Sequence, residues 1–170
     1  MTTDRQRLKD LGIKIKSERL RNSISQEELA EMTNMSRNSI SLIETGKIKK
    51  PGRSTKGSAG YDFYMPESIT IGSGEIAVIE TGIIAEIDEG YYLSLHPRSS
   101  LYAQGLNIEG IIDSDYHKEI KAIIQNKNRW HSIRINAGDR FMQGIFHRYY
   151  TVDDDDASAE RTGGVGSTGR

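Results

Sequence analysis

The chain has 170 residues, of which 35% are hydrophobic and 28% are charged, and it contains no cysteine. This composition is typical of a soluble globular protein, and the lack of cysteine excludes a disulfide framework and a thiolate metal site. No apolar run is long enough to span a bilayer, and the polar N-terminus has no apolar core of a signal peptide. We therefore expect a cytoplasmic protein that makes no membrane contact.

The charge is distributed unevenly along the chain. Residues 1–53 contain 12 Lys and Arg against 7 Asp and Glu, a net charge of +5, whereas the remainder carries −6. A basic front joined to an acidic body indicates two units with different partners.

The front of the chain has helical periodicity. Between Arg5 and Leu20, apolar residues recur at helical spacing, at Leu8, Leu11, Ile15 and Leu20. Residues 25–28 (Ser-Gln-Glu-Glu) form a capping-box pattern that begins a second, short helix. A further cap at Ser36 begins a third helix that ends at Gly46. Two short helices joined by a turn of about four residues predict a helix-turn-helix segment, which we assign to residues 1–49.

The periodicity changes after residue 50. Short β-rich runs separated by turn residues follow one another at regular intervals, at residues 69–71, 76–79, 83–87, 91–95, 108–112, 120–124, 131–135 and 141–150. Such spacing predicts an all-β sandwich or barrel, here jelly-roll-like, over residues 50–152. Residues 153–170 begin with four aspartates and end rich in glycine, so we predict a flexible C-terminal arm.

Five segments of this β-region, in order, resemble the five motifs of the trimeric dUTPase family. They are residues 59–63 (Ala-Gly-Tyr-Asp-Phe), 97–101 (Pro-Arg-Ser-Ser-Leu), 110–116, 138–143 and 161–169. The resemblance implies a mainly β, jelly-roll-like barrel and a homotrimer with shared active sites and a swapped C-terminal arm. It also implies hydrolysis of dUTP to dUMP and pyrophosphate.

The chemistry of this reaction requires a base that activates water and groups that hold phosphates. Asp113 follows an apolar strand, where a carboxylate can be directed at a pocket. The resemblance implies that Asp113 is the base for attack on the α-phosphorus; the alternative is an ordinary turn aspartate.

The resemblance also implies residues that select the nucleoside. Tyr116 would pack under the deoxyribose and exclude a 2′-hydroxyl, although a strand tyrosine is more often simply part of the core. The Asn107 amide would bind uracil, since it offers both a donor and an acceptor. The backbone around Gly110 would complete the base contacts.

Groups suited to phosphate oxygens stand in three of the segments. Arg98, Ser99 and Ser100 offer a guanidinium and hydroxyls, and Gln143 matches a phosphate-contacting glutamine of the family. In the arm, the expected contacts are Arg161, Gly164, Val165, Gly166, Ser167 and Thr168. Asp62 and the pair at 139–140 are expected to be structural.

Two departures from the family pattern concern the same site. Val165 stands where the family has an aromatic residue that stacks on uracil, and His117-Lys118 replaces the usual Arg-Gly. The four histidines show no metal-ligand spacing, so no metal is expected to bind the protein directly. Mg²⁺ is expected to arrive on the triphosphate.

Residues 11–47 resemble the lambda-repressor-like, XRE-type helix-turn-helix family. By that match Gln26, Arg37, Asn38 and Ser39 would face the DNA major groove, where such side chains suit base edges. The family usually continues with another core helix, which this chain lacks. The alternatives are a fusion remnant or a module that docks a regulatory protein. A compact fusion of these two units is typical of a phage or mobile-element gene.

Two rival functions are open at this point. The first is dCTP deamination, which is the activity of a family that resembles dUTPase in fold. The glutamate that this dCTP deaminase family uses is replaced here by Ile123. The second is a transcriptional regulator that uses a dUTPase body as a nucleotide sensor.

Overall fold

The computed structural model describes residues 3–161 and residue 163. Within this part of the chain, three helices precede a region of nine short strands. These three helices are α1 (Asp4–Arg21), α2 (Gln26–Met32) and α3 (Arg37–Glu44), and a fourth, the single turn α4 (Ser99–Tyr102), lies within the strand region. The strands are β1 (Tyr61–Tyr64), β2 (Ile69–Ile71), β3 (Ile76–Glu80), β4 (Tyr91–Pro97), β5 (Leu106–Ile108), β6 (Gly110–Ile112), β7 (Lys121–Asn126), β8 (Ile133–Ile135) and β9 (Arg140–Arg148).

The helix starts predicted from the sequence are confirmed. Ser25 forms a complete capping box with Glu28, because its hydroxyl accepts from the Glu28 N–H while the Glu28 carboxylate accepts from the Ser25 N–H. Ser36 caps α3 through a hydrogen bond from the Ser39 N–H, at 3.0 Å. These caps depend on contacts three residues apart, which explains why local sequence predicts them.

The face of α1 that meets α3 is built around a glycine. Leu11 and Leu20 are 53% and 58% exposed, while Gly12 is buried against α3. A Cβ at Gly12 would lie 2.4 Å from the Ile43 carbonyl oxygen, so only glycine permits this close helix approach. α1 therefore turns Gly12, rather than Leu11 and Leu20, toward α3.

A buried ion pair joins the same two helices. The Arg19 Nε donates to Glu44 Oε1 at 2.6 Å, and the Gln26 amide donates to Glu44 Oε2 at 2.9 Å. The hydrogen bond from Arg19 lowers the pKa of Glu44, and this effect outweighs burial, which acts in the opposite direction. Glu44 therefore stays charged and links all three helices.

The strands form three antiparallel sheets around one apolar core. Their orders are β1-β9-β4-β6, β2-β8 and β3-β7-β5. The core side chains include Ile71, Ile124 and Phe141, each essentially inaccessible to solvent. The mainly β, jelly-roll-like fold preceded by an all-α segment is thus confirmed.

Two of the predicted strands differ from the structure. The 83–87 run forms no strand, since Ile83, Ala85 and Ile87 pack on the core without ladder hydrogen bonds. The 108–112 run divides at Glu109, because β5 pairs with β7 whereas β6 pairs with β4 in another sheet. Among the described residues, no helix is both long and apolar enough to cross a membrane.

Candidate active site

Three of the motif segments meet at one end of the four-stranded sheet. Gln143 on β9 lies opposite Asp62 of β1 on one side and His96 of β4 on the other. Arg98 follows the end of β4, and its N–H donates to the Phe141 carbonyl of β9 at 3.1 Å. The register of β1, β9 and β4 therefore brings Asp62, Arg98 and Gln143 together.

Asp62 lies at the centre of this group and is 1% exposed. Its carboxylate accepts hydrogen bonds from Arg98, from the Gln143 amide at 2.9 Å and from the Ser54 hydroxyl at 2.8 Å. Arg140 adds a fourth donor at 3.2 Å. The sequence alone indicates neither the role of Ser54 nor that Asp62 orients two expected phosphate ligands.

The donors around Asp62 decide its charge. Burial by itself raises the pKa of a carboxyl group, but hydrogen bonds from Gln143, Ser54 and Arg98 together outweigh it and hold the pKa of Asp62 below its ordinary value. Asp62 is therefore a fixed anion that holds the two arginines.

Asp139 and Arg140 are the pair expected to be structural, and Asp139 does fix a turn, since it accepts from the Asn136 N–H at 2.9 Å. Arg140 instead pairs with Asp62.

The remaining expected phosphate ligands adjoin this cluster. Ser99 and Ser100 begin α4 and are exposed, and the Arg98 side chain is partly exposed. A guanidinium with one edge on a buried carboxylate and another toward solvent can bind an anionic oxygen. We define Asp62, Arg98, Arg140 and Gln143 as the cationic cluster.

The other expected catalytic residues lie around the loop after β6. Asp113 and Asp115 are both about half exposed, and the Arg161 guanidinium pairs with both, at 2.8 Å from its Nε to Asp115 Oδ1. The hydrogen bond that Arg161 donates to Asp115, together with the charges of both carboxylates, raises the pKa of Arg161. We define Asp113, Asp115 and Arg161 as the acidic cluster.

Tyr116 belongs to the same loop and is 6% exposed. Its ring packs on the core and lies 5.8 Å from the Arg161 guanidinium carbon, and its hydroxyl donates to the Glu119 carbonyl at 3.0 Å. Burial raises the pKa of the Tyr116 hydroxyl, so the group remains a neutral donor.

The two clusters lie at opposite ends of β4. Leu93 of β4 pairs with Ile112 of β6, so Asp113 follows near Tyr92, whereas Arg98 follows the other end of β4. Six residues of extended strand correspond to roughly 20 Å. No hydrogen bond among the described residues joins Asp113 to Arg98. One chain thus holds the two halves of the expected site apart.

The remaining expected ligands fall into two groups. Asn107 is half-buried on β5 opposite Gln125, and Gly110 begins β6 opposite Leu95. The expected arm contacts beyond Arg161 lie outside the described residues; they are Gly164, Val165, Gly166, Ser167 and Thr168. In residues 3–161 and 163, no group of three or more His, Asp or Glu could hold a metal ion.

The expected DNA contacts all have partners within the chain or face the β-domain. Gln26 donates to Glu44, and Arg37 pairs with Glu27 at 2.8 Å. Asn38 lines a cleft of about 350 Å³ between α3 and the β-domain. Ser39 differs from the expectation, because it is fully buried and donates to Glu119 rather than facing solvent.

The chain thus combines a β-domain, which carries separate cationic and acidic clusters, with a helix-turn-helix segment in front of it. A family model for dUTPase matches residues 46–169, and a helix-turn-helix model matches residues 15–55. The chain therefore belongs to the dUTPase family and carries a helix-turn-helix segment in front.

Individual relatives agree with this assignment. The deoxyuridine 5′-triphosphate nucleotidohydrolase of Wolinella succinogenes is 38% identical over 129 residues, which cover 71% of this chain and 86% of that protein. The cowpox virus protein of the same name is 36% identical over 135 residues, covering 74% and 89%. Among solved structures, the Streptococcus mutans dUTPase is 32% identical, with a TM-score of 0.56 and coverage of 63% and 90%. The Staphylococcus bacteriophage 80alpha dUTPase is 25% identical, with a TM-score of 0.60 and coverage of 68% and 93%.

The buried charge of Asp62 generates a pH-dependent prediction. Because its pKa is lower in the folded than in the unfolded chain, its stabilisation is present above the unfolded value of about 3.9 and is lost as the pH falls through the folded value. Asp62→Asn should therefore lower the free energy of unfolding by about 1–3 kcal/mol at pH 7. The difference from the parent should shrink below about pH 4. Urea unfolding at several pH values measures it, with the exposed Asp154→Asn as the control. A difference that is independent of pH would contradict this role of Asp62.

Proposed function

We propose that this protein hydrolyses dUTP to dUMP and pyrophosphate, with Asp113 as the base. The observation that carries the proposal is the acidic cluster, in which Asp113 lies half exposed beside Arg161 and Tyr116. Membership in the dUTPase family and the nucleotidohydrolase relatives support the substrate.

The reaction follows from what each group can do. Asp113 accepts a proton from water as that water attacks the α-phosphorus. The bond between the α-phosphorus and the oxygen that bridges it to the β-phosphorus breaks, and pyrophosphate leaves with that oxygen. A half-exposed carboxylate at the end of β6 is accessible to water and is still held in place by its strand.

The cationic cluster is suited to the phosphates. Arg98 and Gln143 are both held by Asp62, so their geometry is set before substrate arrives. Ser99 and Ser100 add hydroxyls next to Arg98. Arg161 and the arm residues that follow it would close over the terminal phosphates, as the family resemblance implies.

Magnesium would be held by the phosphate oxygens. Arg161 already occupies both Asp113 and Asp115, and the described residues provide no group of three metal ligands. Bound Mg²⁺ would neutralise charge on the leaving pyrophosphate. The phage phi11 dUTPase of S. aureus, a structural neighbour, is described as coordinating a structural Mg(II) ion.

We further propose a homotrimer with shared sites. A base must lie within hydrogen-bond reach of the attacking water, yet Asp113 and Arg98 of one chain are roughly 20 Å apart. A second chain would place its Asp113 beside the Arg98 of the first. In this single chain Arg161 pairs with carboxylates of its own chain, so exchange of the arm remains a prediction.

Asp113 and Asp115 form a matched pair for testing the base. Both are about half exposed and both pair with Arg161. Asp113→Asn should lower kcat for dUTP by about 10²–10⁴-fold while KM stays similar, because shape is kept and the base is lost. Asp115→Asn should keep kcat within a few fold. Pyrophosphate release measures both, with dCTP, dTTP and UTP as control substrates. Equal losses in the two variants would contradict the assignment, and ammonia released from dCTP would indicate the deaminase instead.

Subunit mixing tests the shared site. Asp113→Asn and Arg98→Gln chains, co-expressed with different tags and purified through both, should form mixed trimers. If each site takes Asp113 from one chain and Arg98 from another, about one third of the sites in a mixed trimer are intact. Each variant alone should be nearly inactive. Mixed trimers that remain inactive would show that a single chain supplies both residues.

DNA binding by the front segment is a second candidate function. The helix-turn-helix match over residues 15–55 and the excess of basic residues support it. Arg37 and Asn38 stay on the surface, and Ser39 would become available only if α3 left the β-domain.

Selection from a random pool of DNA duplexes tests this candidate. The full chain should enrich a preferred sequence, and Arg37→Ala should abolish the preference by removing a base contact. Arg5→Ala removes the same charge from α1, so it should weaken binding to all sequences alike. If no sequence is enriched, the segment does not bind DNA with sequence specificity.

A further inference from the structure

The turn between α2 and α3 is joined to the β-domain through one buried side chain, Glu119. The Glu119 carboxylate accepts from the Ser36 N–H at 2.9 Å, the Ser39 hydroxyl at 2.5 Å and the Gly82 N–H at 2.6 Å. Glu119 is 2% exposed, so these donors replace its water shell. Two of the three come from the helix-turn-helix segment.

The backbone of Glu119 extends the connection in both directions. Its N–H donates to the Asn34 carbonyl at 3.2 Å, and its carbonyl accepts the Tyr116 hydroxyl at 3.0 Å. Tyr116 is the ring expected to exclude a 2′-hydroxyl. A continuous series of hydrogen bonds therefore runs from the front segment to the sugar-binding side chain.

Both core packing and hydrogen bonds hold the loop, since Tyr116 and Ile120 belong to the apolar core. A cleft of about 370 Å³ separates the turn from the loop and is lined by Met35, Tyr116 and Lys118, among others. Between the turn and the loop, the hydrogen bonds at Glu119 therefore add to core packing in setting the position of the loop. On its other side, the loop is held by the Ile120 N–H, which donates to the Ile83 carbonyl at 2.8 Å.

We propose that the helix-turn-helix segment takes part in substrate selection, with Glu119 and Ser39 as positioning residues for Tyr116. The segment holds Glu119, Glu119 holds the Tyr116 hydroxyl, and the fixed ring keeps a ribonucleotide out. This inference rests on the proposed dUTP hydrolysis and adds a specificity role for the front segment.

The test compares kcat/KM for dUTP with that for UTP. Ser39→Ala should lower the dUTP:UTP ratio by about threefold to tenfold, as expected for the loss of one hydrogen bond to a buried carboxylate. Its kcat for dUTP should change less than the ratio, because Asp113 is untouched. Ser41→Ala, on the same helix but with no side-chain hydrogen bond among the described residues, is the matched control and should keep the parent ratio.

A second variant removes the hydrogen bond at the other end of the same connection. Tyr116→Phe keeps the ring and loses the hydrogen bond to Glu119, so it should lower the ratio by a similar factor. The double variant should fall no further than the single ones, since both break one connection. The inference is overturned if Ser39→Ala and Tyr116→Phe both keep the dUTP:UTP ratio of the parent. It is also overturned if the two losses multiply in the double variant. A parent protein that does not hydrolyse dUTP would instead overturn the proposed function.

Discussion

The pairing of β4 with β9 on one side and β6 on the other is the constraint on which the arrangement of the site depends. It places the cationic cluster at one end of the strand and Asp113 at the other. Strand geometry is rigid on this scale, so no side-chain motion closes a gap of roughly 20 Å. The separation is the physical reason for proposing a site shared between chains.

Two buried carboxylates organise what the sheet brings together. Asp62 and Glu119 are nearly inaccessible, and each accepts at least three hydrogen bonds. Burial of a carboxylate is costly unless it is fully hydrogen-bonded, so each also fixes its donors in one geometry. Asp62 thereby orients Arg98 and Gln143, the proposed phosphate ligands, and Glu119 connects the loop that carries Tyr116 to the front segment.

The front segment therefore has two faces with different chemistry. Its charge and its family match suit nucleic acid, whereas Ser36 and Ser39 at the start of α3 are bonded to carboxylates of the β-domain, including Glu80 at 2.6 Å from Ser36. In a DNA-bound helix-turn-helix protein, the first residues of the recognition helix contact the DNA bases. Here the corresponding residues contact acidic side chains of the β-domain. DNA and the β-domain would compete for the same helix end.

The sequence by itself determined the caps of α2 and α3, the β-rich body and the family, because caps and motifs depend on residues close together in the chain. It also provided the candidates Asp113, Arg98 and Gln143. Only the tertiary structure decided which of these residues meet, since strand register and the closeness of α1 to α3 arise from contacts between distant segments. The sequence marked Asp62 only as structural and did not mark Glu119 at all for the same reason: apart from Ser54, the donors to their side chains lie at least 36 residues away, and no local signal marks a carboxylate that becomes buried.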